Sequence, residues 1–368
     1  MAVELGTYKK YLPILKWRQG EYQALLRLDS SIKRNLYPLF VIPPVEYDFE
    51  EEKPKKTAEE HVEKLAKRYK EKWGKLPSLI DIDNTLHLDN VSDGRTIPEF
   101  IFDEIASVTK NFSPVTRLDY DHSYVNAVKK CVSSYATGLG IRVALDQLAN
   151  PSNITKIQTL MSFIGCIPEH TDLIVDFQKG STYEPNEDVI LIVSSLLNSI
   201  PQIKEYRSIY IAGTSLDLNT VKKPGAIQDR NDWIFYQALY ASLGKAYTNL
   251  GFGDYTIETP EFSSFDMRLM NPAAKLVYSY EDKWVIYKGS AFRDDTSQMK
   301  GLCKKLVTSK NNYFYGAKYS KGDTKIYECS QGVGSYGNLG TWKEVAVSHH
   351  LTLVVYQNAS LLGFQTLP

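Results

Sequence analysis

The chain has 368 residues, and its 43 lysines and arginines balance 43 aspartates and glutamates, for a formal net charge of zero. With 43% hydrophobic and 23% charged residues it has the make-up of an ordinary globular protein, which excludes a disordered tail, a collagen-like repeat and a coiled-coil rod. The balance also argues against a long-range field for nucleic acid, and no run approaches the roughly 18 apolar residues that a membrane span needs.

Cys131, Cys166, Cys303 and Cys329 lie far apart, without a CxxC pair, and Met1 to Lys10 carry no apolar signal-like run. Both observations lead to the expectation of a soluble protein in the reducing cytoplasm.

Short strand-like runs recur along the chain: Leu12–Trp17, Tyr37–Ile42, Ser78–Asp83, Pro114–Asp119, Gly140–Asp146, Asp172–Phe177, Arg207–Ala212 and Gly253–Glu258. Helical periods separate them, at 21–34, 57–73, 98–110, 124–137, 153–165, 185–199 and 229–250. In the second of these, Val62, Leu65, Ala66, Tyr69 and Trp73 share one face while Glu59, Glu60, Glu63, Lys67 and Lys70 face water. Strands alternating with helices imply parallel strands joined by right-handed crossovers, and this number of units predicts an α/β fold, a (β/α)8 TIM-like barrel. An open doubly wound sheet is the competitor; the lack of GxGxxG after the first run favours the barrel.

Beyond residue 258 the alternation stops. Lys275–Tyr278 and Trp284–Tyr287 predict a hairpin, and Thr296–Ser309 a helix suited to be the eighth of the barrel. The stretch 313–342, rich in Gly, Tyr and Ser, reads as a surface excursion, and His350–Tyr356 as a final strand or an apolar helix turn. The expected organisation is a barrel over 1–310 that includes a hairpin at about 275–288, followed by a C-terminal extension at 311–368 packed on it. A separate small C-terminal domain is the alternative.

Strand parity marks the candidate site. Ile80 and Ile82 leave Asp81 and Asp83 on the opposite face, Arg117 shares a face with Asp119, Arg142 with Asp146, Asp176 with Gln178, and Lys16 with Arg18. All lie at or near the C-terminal ends of their strands, where barrel enzymes build their sites. Charges recurring on one parity predict a polar mouth, against the plainer reading of end-of-strand caps and self-neutralising ion pairs. Lys16, Glu21, Asp119, Asp146 and Asp176 are the candidate catalytic residues. Asp83, Asp119, Asp146 and Asp176 are candidate ligands for a divalent metal such as Mg2+ or Mn2+, since hard cations take carboxylate oxygens. Arg117, Arg142, Gln178, Arg230, Trp233 and His349 are candidate ligand-binding residues, with Lys16, Arg117 and Arg142 suited to a phosphate-containing ligand. Asp254, placed at the start of the eighth strand, is expected at the lower end of the barrel. Phosphate-loop, HExxH, GxSxG and calcium-loop motifs are absent.

The segment Tyr11-Leu12-Pro13-Ile14-Leu15-Lys16-Trp17-Arg18-Gln19-Gly20-Glu21-Tyr22-Gln23-Ala24-Leu25 resembles the phage T4-type beta protein family, as do Pro38 to Pro44, Arg117-Leu118-Asp119, Phe252 to Tyr255 and Trp342 with His349-His350-Leu351-Thr352. The resemblance runs nearly end to end. Such proteins occur in phages, prophages and bacterial defence neighbourhoods, so it implies a barrel-like fold and a role in antiphage conflict, without supplying a reaction. Two expectations follow. In one, a polar mouth and a Tyr-rich C-terminal surface recognise a partner protein or a phage-derived signal. In the other, the chain is a metal-assisted hydrolase of a phosphate-containing small molecule or nucleic acid.

Overall fold

Eight parallel strands close into a barrel: Leu12–Lys16, Leu39–Ile42, Ser78–Ile82, Phe112–Thr116, Leu139–Ala144, Thr171–Lys179, Ser208–Thr214 and Leu250–Asp254. This computed structural model describes residues 11–179, 185–244, 246–262 and 270–363. Each strand pairs with its successor, and the first closes the ring by pairing with both the second (Ile14 with Leu39) and the eighth (Leu12 with Gly253). The open-sheet alternative is thereby excluded.

Local chemistry starts the helices where the alternation placed them. Thr96 and Glu99 form a reciprocal capping box ahead of Ile97–Val108, with Pro98 in its first turn. Thr57 and Glu60 do the same ahead of Ala58–Val62. Outward-facing Ile80, Ile82, Ile141, Val143, Leu173 and Val175 pack beneath this helical layer in the main core. The inward parity set, including Leu12, Ile14, Leu39, Val41, Leu79, Val115, Ile174 and Tyr210, forms its own cluster within the barrel. Gly251 makes room for Tyr210, since a Cβ there would lie 2.5 Å from its ring. At the N-terminal end of the barrel, buried Asp172 accepts from Arg207 Nε at 2.9 Å and from the Tyr37 hydroxyl at 2.8 Å. These pairings close the base with a salt link.

The C-terminal third departs from expectation. The hairpin is longer, Ala273–Tyr280 against Lys283–Ala291, and gains a third strand, Gly225–Asp229, from the loop after the seventh barrel strand. The helix Gln298–Val307 packs on this small sheet and on Lys321–Gln331, forming a second core with Leu276, Tyr278 and Val285. The place of the eighth barrel helix is taken instead by Leu339–Leu361, whose Val347, Leu351, Val354 and Val355 enter the main core while Trp342 and Val345 enter the second.

The stretch expected to be a surface excursion is therefore partly helical, and of the two expectations for His350–Tyr356, strand or helix turn, the helix is the one found. In 313–342, Ser320 caps Lys321–Gln331, which ends at Gly332 with φ 76°, and Asn338 caps the closing helix in a box with Thr341. His350–Tyr356 lies inside that helix. The eighth strand also begins earlier than expected and ends at Asp254, which pairs with Gly213 near the end of the seventh. Asp254 thus stands at the upper end of the strand, on its outward face, with His350 Nε2 2.8 Å away and the Tyr11 hydroxyl bonded to it.

Candidate functional site

Parity carries charge to the top of the barrel, where two arginines and two aspartates interlock. Asp81 is fully buried and accepts from Arg117 Nη2 at 2.7 Å, Arg142 Nη1 at 3.0 Å and the Tyr120 hydroxyl at 2.7 Å. Burial alone would raise its carboxyl, yet Arg117 and Arg142 hold it below the usual carboxylate range. Arg142 turns its other edge to Asp176, placing Nε at 2.9 Å and Nη2 at 2.7 Å from the same Oδ2, and the Tyr255 hydroxyl reaches that oxygen at 2.7 Å. Burial, helped by Asp176 and opposed by Arg142, pushes the Tyr255 phenol well above its ordinary value. It therefore stays a neutral donor.

Above this layer lies a cavity of about 440 Å³. Lys16, Asp83, Arg117, Asp119, Arg142, Asp176 and Gln178 all line it. Arg117 is about one-third exposed; its Nε, itself buried, has no hydrogen-bond partner among the described residues. Asp119 stands exposed at the lip, and Asp83 Oδ1 accepts from the backbone and hydroxyl of Thr85 at 3.1 and 2.6 Å. Asp146 does not reach the cavity. Its strand ends at Ala144, so it falls in the short helix Leu145–Leu148, where it is exposed and accepts from Gln147 N at 2.8 Å. The four aspartates expected to hold a metal are therefore not assembled: among the described residues no group of three or more His, Cys, Asp or Glu side chains is placed to hold an ion. Asp176 is committed to Arg142 and Tyr255 instead.

Beside the mouth, Lys16 sits at the end of the first strand. It donates to the Glu261 carbonyl, stands 3.8 Å from Glu258 and lies 4.7 Å from the centre of the Phe262 ring. Burial lowers its ammonium, opposed by Glu258 and Glu21. Lys343 of the closing helix reaches over to Glu258 at 2.8 Å and Glu21 at 3.9 Å. Glu21 is fully buried, with neither carboxyl oxygen hydrogen-bonded among the described residues, and burial pushes it up to about 8 against the pull of Lys343. Glu21 is thus a buried, proton-holding neighbour of Lys16 and does not line the cavity.

Three expected ligand-binding residues lie behind the barrel wall. Arg230 is buried, donates to the Glu281 carbonyl at 2.7 Å and Gln357 Oε1 at 2.8 Å, and packs against Trp284, its Cζ 5.4 Å from the ring centre. The strand Gly225–Asp229 carries it beneath the hairpin, away from the mouth. Trp233 is buried edge-on to Phe252. His349 uses both ring nitrogens, at 2.8 Å from Asp323 Oδ2 and 2.7 Å from the Ser279 carbonyl, and stacks on Tyr278 at 3.7 Å. Around it Tyr315, Tyr319 and Tyr356 pack on one another, so much of the Tyr-rich segment is half-buried.

Sequence reasoning missed Tyr120, Tyr255, Glu258 and Lys343, and passed over Asp81 in favour of Asp83. Only Asp81 had a usable signal, the parity it shares with Asp83. The others reach the site through loops or a distant helix.

A family model described as Beta protein matches residues 11–356. No curated protein matches the sequence. Among solved structures, the catalytic domain of a mannanase from Streptomyces sp. SirexAA-E is 11% identical at a TM-score of 0.38, with 67% of this chain and 75% of that one covered. Alanine racemase of Clostridium difficile 630, in complex with cycloserine, is 9% identical at 0.36, over 75% of this chain and 59% of its own. A GH5-4 broad specificity endoglucanase from an uncultured bacterium is 10% identical at 0.33, over 59% and 73%.

Proposed function

The chain belongs to the Beta protein family, and we propose that its barrel mouth is the recognition site of a phage–bacterium conflict component, meeting a partner protein or a phage-derived signal. One observation carries this reading. The two deepest carboxylates, Asp81 and Asp176, are occupied by Arg117, Arg142 and two tyrosines, so the mouth neutralises itself while the Arg117 side chain, about one-third exposed, lines its edge. Such a site is built to bind. Metal-assisted hydrolysis, the second reading, needs convergent carboxylates to set an ion against a water, and here Asp83 and Asp119 sit at the lip while Asp146 stands outside. We propose the cytoplasm as the place of action, a setting that suits the buried free thiols of Cys131, Cys303 and Cys329. Among the described residues no helix is long and apolar enough to cross a membrane.

The test is a plating assay. Bacteria expressing the chain are challenged with a panel of phages beside cells expressing Arg117→Gln and cells with empty vector. Altered plating with the wild-type chain that disappears in Arg117→Gln is the expected result. Equal plating in all three sinks the reading.

A further inference from the structure

We infer that the chain forms a twofold dimer in which the strand Gly225–Asp229 pairs antiparallel with the same strand of a second copy, centred on Ile227. This surface lies apart from the barrel mouth, at one edge of the small sheet, whose middle strand is Lys283–Ala291. Hydrogen bonding fixes which backbone groups face outward. Lys288 N donates to the Pro224 carbonyl at 3.0 Å and Arg230 N to the Asp282 carbonyl at 2.7 Å, and between them the register pairs Ala226 with Ile286 and Gln228 with Trp284. Alternation along the ladder therefore turns the backbone groups of Ala226 and Gln228 inward and those of Gly225, Ile227 and Asp229 away from the sheet. Gly225 N is already spent on the Lys222 carbonyl at 2.9 Å, and the Asp229 carbonyl on Ser215 Oγ at 3.2 Å. The Gly225 carbonyl, the N–H and C=O of Ile227 and the Asp229 N–H meet no partner among the described residues.

A second copy matches this pattern group for group. About a twofold axis at Ile227, that residue opposes itself and Gly225 opposes Asp229. Ile227 exchanges both of its bonds with its counterpart, and each Asp229 N–H reaches the opposite Gly225 carbonyl. The spent Gly225 N–H faces the spent Asp229 carbonyl, so no group is stranded and none is asked to bond twice. The side chains agree with this register. Ile227 is 54% exposed and stands on the face of Val285, where Pro224, Tyr287 and Lys305 border a groove of about 280 Å³ with it. Ile227 of the second copy comes beside its counterpart on that face and takes both isoleucines out of water. Asp229 of the second copy arrives opposite Gly225, which has no side chain to obstruct it, on the side where exposed Lys305 stands without an ion-pair partner among the described residues. The twofold makes this charge match twice. Open edges are commonly guarded by a lysine, a proline or a bulge, whereas the centre of this one is a β-branched apolar residue.

Sedimentation velocity of the full chain between about 1 and 100 μM tests this. The wild type should pass from monomer to dimer across that range. Ile227→Pro deletes one outward N–H and no bond to the hairpin, so it should stay monomeric with a wild-type thermal melt. Lys305→Glu sets like charge against Asp229 of the second copy and should weaken association at least tenfold; it decides the matter if Ile227→Pro does not fold. Ile227→Cys tests the register. Opposed Cα atoms about 5.5 Å apart are within reach of a disulfide, so mild oxidation should give a covalent dimer well above the wild-type background. A wild type that is monomeric throughout overturns the inference. So does a folded Ile227→Pro or Lys305→Glu variant that dimerises like the wild type, or an Ile227→Cys variant that does not cross-link.

Discussion

Arg142 grips Asp176 by two nitrogens on a single oxygen, Nε at 2.9 Å and Nη2 at 2.7 Å from Oδ2, and spends Nη1 on Asp81 at 3.0 Å. One guanidinium therefore spans strands three, five and six. Removing either carboxylate leaves a buried charge underpaired, and Asp81→Asn is expected to cost about 3–5 kcal/mol in urea unfolding. Asp119→Asn and Asp146→Asn, at exposed positions, should stay within about 0.5 kcal/mol of the wild type. Similar losses in all three would mean that Asp81 is not the partner holding Arg142.

Glu21 predicts a pH dependence with a definite sign. Its carboxyl is raised to about 8 from an ordinary 4.5, so below pH 4.5 folded and unfolded chains are both protonated and it contributes no slope. Between pH 4.5 and 8 the unfolded chain ionises first, and stability falls as pH rises, by up to about 5 kcal/mol. Glu21→Gln removes this slope. Urea midpoints at pH 5 and pH 8.5 should show the variant gaining on the wild type at the higher pH; a gap that does not change with pH would place an ionised carboxylate there.

Gly138 faces the salt link at the barrel base. A Cβ on it would lie 2.2 Å from Arg207 Nη1 and 2.7 Å from the His170 carbonyl. Gly138→Ala must push Arg207 off Asp172 and should destabilise by about 1–3 kcal/mol. Thermal unfolding measures it, and an unchanged melt would show that the base has room to relax.

His349 and Asp323 hold the closing helix to the hairpin. Asp323 is buried and also accepts from Tyr278 at 2.8 Å and Ser320 Oγ at 2.6 Å, so Asp323→Ala strands several donors and should cost about 3 kcal/mol or more. His349→Ala should lower the melting temperature by several degrees and leave unchanged any effect of the chain on phage plating. A lost plating effect with an unchanged melt would return His349 to the site.

The barrel was legible because each strand carries its own evidence. Ile80 and Ile82 against Asp81 state a face and a parity within a few residues, and Thr96 with Glu99 states a helix start. The same local reading placed Lys16, Arg117 and Asp176 at one end. It failed where neighbours in space decide. The helix Leu339–Leu361 is covered by the barrel on one side and the small sheet on another, so it buries residues all round and shows no 3.6-residue period. Arg230 is a ligand-binding candidate by sequence, yet the strand just before it pairs with a hairpin far along the chain. Asp146 was misplaced by two residues of strand length, enough to move it from the mouth to the surface.

The closing helix also dictates an order of assembly. It lies against Gln19–Arg27, where Glu344 meets Arg27 at 2.6 Å, and its His350 completes the contacts of Asp254 and, through it, Tyr11. During synthesis the opening segment leaves the ribosome first, and its apolar flank stays uncovered until nearly all the rest has emerged. The nascent protein is then a wreath with a missing sector, whose two ends can meet but cannot be sealed. Chaperone capture and off-pathway association should concentrate on that sector, with release coming as the late helix docks.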